Sequence, residues 1–77
     1  MALEVRLPEL ADGVDTGEIV RWLVAVGDTV AAGQAVVEIE HEEGTTTIAA
    51  PRAGRIHCLH AETGQCMRKD ILLFEIE

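Results

Sequence analysis

The chain is expected to fold as an all-β sandwich or flattened barrel, and three observations lead there. Its apolar residues fall in short runs with the two-residue alternation of half-buried strands, parted by glycine and proline. No window holds a 3.6-residue pattern of helical length. The two halves of the chain also repeat one another, so each can bury its apolar face against the other. Short strands with glycine turns at regular spacing are the mark of closed or double-layered β-folds.

The elements follow in order. Leu3, Val5 and Leu7 alternate with Glu4 and Arg6, and Pro8 ends that strand because proline cannot donate into a ladder. "GEIVRWLV", residues 17–24, is β-branched and aromatic, and Gly27-Asp28 stops it. "GQAVVEIE" makes a strand after Gly33. A tight acidic turn, His41 to Gly44, joins it to "TTTIAAP", which Pro51 closes. "GRIHCLHA" and "ILLFEIE" complete the set. The glycines at these turns supply a positive φ without steric cost.

The repeat has an offset of 37 residues: Gly17 falls on Gly54, Ile19 on Ile56, Gly27 on Gly64, and Glu38-Ile39-Glu40 on Glu75-Ile76-Glu77. Val30 with Met67 and Val36 with Leu73 are similar pairs. Each half reads as glycine, apolar strand, glycine turn, short strand, apolar strand. Two copies are too few for a solenoid. They fit a pseudo-two-fold pair.

The bulk numbers bound the function. The 77 residues make one domain, 1–77. A chain this short buries only about 60% of its unfolded surface, which leaves little room for an enclosed cleft. It is 48% hydrophobic but 3% aromatic, so the core is Val, Ile, Leu and Ala with Trp22 and Phe74 as its large pieces. The net charge of −8 repels phosphate backbones and acidic membranes, and permits a basic protein partner. Cys58 and Cys66, with no signal peptide, point to reduced thiols and a cytoplasmic setting. No apolar run approaches the ~20 residues that span a bilayer.

"GEIVRWLVAVGDTVAAGQAVVEIE" followed by "TTTIAAPRAGRI" resembles the biotinyl/lipoyl attachment domain. It is most similar to the lipoyl domains of acyltransferase components of 2-oxoacid dehydrogenase complexes. "VRLPELADGVDTGEIVRWLV" resembles their opening, and the Gly-Asp-x-Val, Gly-Gln and Ala-Pro-x-x-Gly elements stand at the family's spacing. The resemblance covers essentially the whole chain. It implies two four-stranded antiparallel sheets with internal quasi-two-fold symmetry, a barrel-sandwich hybrid. In that family the hairpin between the central strands presents a lysine, usually after aspartate and before alanine. Its amine carries lipoate, or biotin in relatives where methionines flank it.

Matched residue by residue, Glu42 stands at the aspartate position, Glu43 at the lysine position and Gly44 at the alanine position. A carboxylate cannot form the amide, so the chain carries no cofactor as written. Lys69 is the only lysine. By the repeat it pairs with Ala32, in a loop after a short strand, and lacks the Met-Lys-Met setting of biotin carriers; a solvated surface lysine is the expectation. The hairpin tip and recognition residues are then His41, Glu42, Glu43 and Gly44. By resemblance Leu10, Ala11, Asp12, Gly13, Val14 and Asp15 form a docking loop beside the hairpin.

No catalytic residue is expected: no triad, phosphate-cradling loop or facing carboxylate pair is present. No metal site is expected either. Zinc ligands announce themselves as tightly spaced Cys or His pairs. Here His57-x-x-His60 stands alone, and strand periodicity sends its rings to opposite faces. Cys58 and Cys66 lack an activating base and read as small hydrophobes.

The resemblance thus implies a non-catalytic carrier-type domain of a 2-oxoacid dehydrogenase acyltransferase or close relative, left with a structural or docking role. Two alternatives stay open. One is a free-standing interaction module that uses the acidic tip; the other is a small metal-binding or thiol-active protein using His41, the glutamates, His57, His60 or the cysteines. Partners implied by resemblance are a 2-oxoacid decarboxylase and a lipoate ligase-type enzyme. As an isolated domain, a monomer is expected. Whether the chain is whole or an excised domain stays open.

Overall fold

The computed structural model describes residues 2–77. They form eight strands: β1 (Leu3–Arg6), β2 (Thr16–Trp22), β3 (Thr29–Val30), β4 (Ala35–His41), β5 (Gly44–Ala49), β6 (Gly54–Leu59), β7 (Cys66–Arg68) and β8 (Leu72–Ile76). Two four-stranded antiparallel sheets result, in the orders β1-β8-β6-β3 and β5-β4-β2-β7. The radius of gyration, 11.6 Å, matches the roughly 11.5 Å of a compact chain of this length.

Quasi-two-fold symmetry is written into the hydrogen bonds. Gly27 N–H donates to the Ile56 carbonyl and Ile56 N–H to that of Asp28. At the matching place, Gly64 donates to Ile19 and Ile19 to Gln65. Gly27 and Gly64 share positive φ, 94° and 89°. The repeat is permuted: β4 and β5 pair as a hairpin in one half, while β8 pairs with β1 in the other.

The bulges are symmetric as well. On β2, Ile19 faces Ile39 and Arg21 faces Glu38, so Val20 is extra; on β6, Ile56 faces Ile76 and Cys58 faces Glu75, so His57 is extra. A bulge sets two successive residues on one side of the sheet. Val20 and Arg21 are both exposed, and His57 is exposed beside half-buried Cys58. Val36 on β4 and Leu73 on β8 are the second pair of extra residues. There the doubled residues point inward, and Val36-Val37 and Leu73-Phe74 are fully buried.

The core is aliphatic around Phe74, with Leu7, Ile19, Ile39, Ile56 and Ile76 from both sheets. Trp22 departs from the expected core position. It is half-buried at the rim, edge-on to Phe74 at 6.2 Å between ring centroids. Its Nε1–H donates to the Ala61 carbonyl at 3.0 Å, and a buried indole needs such a partner. Gly17 and Gly54 sit where the strands approach most closely. A Cβ on Gly17 would meet Ile39 Cγ2 at 2.6 Å, and one on Gly54 would meet Ile76 Cγ2 at 2.5 Å and the Glu77 carbonyl oxygen.

Candidate functional site

The β4–β5 hairpin closes on His41 and Gly44, with Glu42 and Glu43 as its two turn residues. A two-residue hairpin usually demands positive φ at its central residues. Here neither glutamate has one, and Gly44 takes φ 136° instead. Glu42, Glu43 and Gly44 are exposed, and His41 is half-buried behind them.

A chain of side-chain hydrogen bonds fixes the tip. Thr46 Oγ1 donates its single hydrogen to the Leu10 carbonyl at 3.0 Å. Its contact with His41 Nε2, 2.7 Å, must therefore be one in which Nε2–H donates. That leaves Nδ1 free to accept from the Glu43 backbone N–H at 3.3 Å. His41 thus stands as the neutral Nε2–H tautomer, with one nitrogen holding the turn and the other holding β5. Thr46 was missed in the sequence. Its only signal was a place in the Thr45-Thr46-Thr47 run on the strand leaving the turn.

The loop expected beside the hairpin is there, and the Thr46–Leu10 bond ties the two together. Ala11 and Val14 bridge, with Gly13 at φ 77°. The loop does not offer all of its residues outward. Leu10 and Val14 are buried and Ala11 is half-buried, so these three anchor it. Asp12, Gly13 and Asp15 form its exposed part. The apolar pair flanking an Asp-Gly turn was the clue to that division.

Among the described residues, ion pairs form between Arg6 and Glu4 and between Arg21 and Glu38, while His57 and His60 stand beside Glu77 and Glu75, contacts that are ionic only with the imidazole protonated. None involves Glu42, Glu43, Asp12 or Asp15, so that end of the molecule keeps its negative field. Lys69 lies exposed in the turn between β7 and β8, where its N–H donates to the Asp15 carbonyl at 2.7 Å. It is outside the β4–β5 hairpin. Cys66 is exposed on β7, and Cys58 is half-buried on β6; both are free thiols.

The two histidines of β6 and its exit correct one expectation. They do not point to opposite faces. The bulge at His57 interrupts the alternation, and both rings lie on the solvent side. They reach different carboxylates: His57 Nδ1 stands 3.7 Å from Glu77, and His60 Nε2 stands 2.6 Å from Glu75.

Known proteins resemble this arrangement. The lipoyl domain of the 2-oxoglutarate dehydrogenase complex from Azotobacter vinelandii superposes with a TM-score of 0.78 at 19% identity, over 97% of this chain and 95% of that one. At that identity the likeness speaks for the fold. Kluyveromyces lactis urea carboxylase matches all of this chain with 6% of its own, at a TM-score of 0.84 and 25% identity. The dihydrolipoyllysine-residue acetyltransferase component of the pyruvate dehydrogenase complex of Staphylococcus aureus is 34% identical over 64 residues, 83% of this chain. Its Staphylococcus epidermidis counterpart is 31% identical over the same span. The chain spans 15% of the length of these curated relatives. The biotin/lipoyl family model, described as biotin-requiring enzyme, matches residues 3–76. With that match over nearly its whole length, and the double-sheet fold to accompany it, the chain belongs to the biotin/lipoyl family.

Proposed function

We propose that the chain is a carrier-type domain of a 2-oxoacid dehydrogenase acyltransferase, or of a close relative, that does not carry the cofactor. It works without catalysis of its own, through structure and docking. The observation that carries this reading is the hairpin tip. The turn is exposed and its residues are Glu42 and Glu43; by resemblance it is the turn from which the family presents its lysine. Attachment needs an amine nucleophile, and group carriage belongs to the cofactor once bound. Glu43 supplies neither. Lys69, in another turn, does not replace it.

What the tip retains is a surface. Glu42, Glu43, Asp12 and Asp15 are exposed, and among the described residues none of them takes part in an ion pair. A partner with a basic patch fits that field, which speeds encounter more than it deepens affinity. By resemblance to the family, the proposed partner is an enzyme that engages lipoyl domains, such as a 2-oxoacid decarboxylase or a lipoate ligase-type enzyme.

One substitution tests the reading. Glu43→Lys, co-expressed with a lipoate ligase and supplied with lipoic acid, is expected to gain the mass of one lipoyl group, while the parent gains none. A folded Glu43→Lys protein that stays unmodified would show that the turn no longer presents itself as the family's does.

A further inference from the structure

The bulge at His57 has a consequence on the far side of the fold. It places Cys58 on the outer face of the β1-β8-β6-β3 sheet, directly across from Glu75 on β8. Leu59 then packs inward against the core, and His60, two residues beyond Cys58, returns to the outer side. The ligand atoms of Cys58, His60 and Glu75 all lie within 4.8 Å of one another. We propose that these three residues bind one Zn²⁺, or a similar borderline-soft divalent cation, with its fourth position left to water.

The geometry suits the ion. Zinc is held by thiolate sulfur at about 2.3 Å and by imidazole nitrogen or carboxylate oxygen at about 2.0–2.2 Å, in a tetrahedron. The edges of such a tetrahedron are about 3.3–3.6 Å by those bond lengths. His60 Nε2 and Glu75 Oε2, 2.6 Å apart, must open by less than an ångström. The thiol must close by about an ångström to bring its 4.8 Å limit into range. Side-chain torsions supply both movements, and the strand register already holds the backbones. In effect the cation replaces the hydrogen shared by His60 and Glu75.

Chemistry and field agree. One sulfur, one nitrogen and one oxygen donor are a zinc set; calcium and magnesium take oxygen ligands alone. The site lies at the surface, with the Glu75 side chain 19% and the His60 side chain 32% exposed, so an ion can reach it from solvent. Glu4 faces Glu75 from β1 but is itself paired with Arg6, so the charge that meets the cation comes from Glu75 and the Cys58 thiolate. The net charge of −8 adds a general attraction for cations. An ordinary His60–Glu75 ion pair would account for those two residues alone. It leaves the thiol only a long contact, 3.9 Å, in which Cys58 Sγ–H donates to the Leu59 carbonyl.

Cobalt tests the site directly, because a thiolate on Co²⁺ gives a near-ultraviolet charge-transfer band and a tetrahedral site gives strong visible bands. Titrating the reduced chain with Co²⁺ is expected to produce both, at one equivalent, and Zn²⁺ is expected to abolish them. Cys58→Ser and His60→Gln should each lose the bands while keeping the β-sheet circular dichroism. Cys66→Ser and His57→Gln, whose side chains lie outside the cluster, should keep the bands. Added Zn²⁺ should also raise the melting temperature of the parent and leave Cys58→Ser unmoved, since a ligand of the native state stabilises it by mass action. Absence of the charge-transfer band in the parent, or its survival in Cys58→Ser, overturns the proposal.

Discussion

Thr46 joins the hairpin to its neighbouring loop through one hydroxyl, and its removal should be felt in both. Thr46→Val keeps the shape but leaves the Leu10 carbonyl and His41 Nε2 without their partner. A net loss of about 1–3 kcal/mol is expected, since two bonds of about 0.5–1.5 kcal/mol each are lost. Denaturant unfolding reads the loss, and faster amide exchange in the loop after β1 should accompany it. Unchanged exchange there would mean that the packing of Leu10 and Val14 and the loop's own backbone hydrogen bonds hold it without Thr46. The tautomer is a second residue-scale claim. Nitrogen chemical shifts at neutral pH should show His41 with hydrogen on Nε2; an Nδ1–H tautomer would contradict the accounting at the tip. Asp70 offers a third test. It occupies φ 73°, where its repeat mate Gly33 has φ 83°. Aspartate tolerates this left-handed region better than most side chains, and a β-branched residue does not. Asp70→Val should destabilise by about 1–2 kcal/mol and Asp70→Gly by little or nothing, as thermal melts would reveal.

The strands show how far alternation carries a reading. Pro8, Gly27 and Pro51 made the boundaries readable, and the six longer strands fall within a few residues of their expected places. The acidic turn was legible because strand, charge pair and strand follow one another without a break. Bulges were not legible, because each is a choice of one residue in a register that only the partner strand reveals. That is why His57 and His60 were assigned to opposite faces, and why Cys58, His60 and Glu75 did not stand out as a group. The repeat held the missing clue: a bulge at Val20 implies one at His57, and one at Val36 implies one at Leu73. Trp22 misled for another reason, since its indole N–H needs a carbonyl and finds it at the rim. The two halves should also fail alike. Gly17→Ala and Gly54→Ala each press a methyl into the isoleucine and backbone of the next strand. Each should cost about 1–3 kcal/mol, the usual range for overpacking. A melt in which one is neutral would break the equivalence of the halves.

At the scale of the molecule, two matched halves close a small aliphatic core and leave the β4–β5 turn at one end, displayed and acidic. Fourteen acidic residues against six basic ones repel one another in the folded state. The Arg6–Glu4 and Arg21–Glu38 pairs found among the described residues include side chains more than half exposed, and such pairs contribute little. Salt should therefore stabilise the fold. Between about 10 mM and 500 mM NaCl, screening of that repulsion should add about 1 kcal/mol, or ~4–8 °C in a domain this size. A melting temperature that falls with salt would mean the ion pairs outweigh the repulsion.

Fold and family were legible in the chain, because strand pattern, repeat and motif spacing all point one way. The use of the tip was less so, since a missing amine removes one chemistry without naming another. Intact mass of the unaltered chain, recovered from cells that express it beside active lipoate and biotin ligases, tests this most directly. The account predicts the mass of the bare polypeptide. A lipoyl or biotinyl increment, wherever peptide mapping places it, would contradict it.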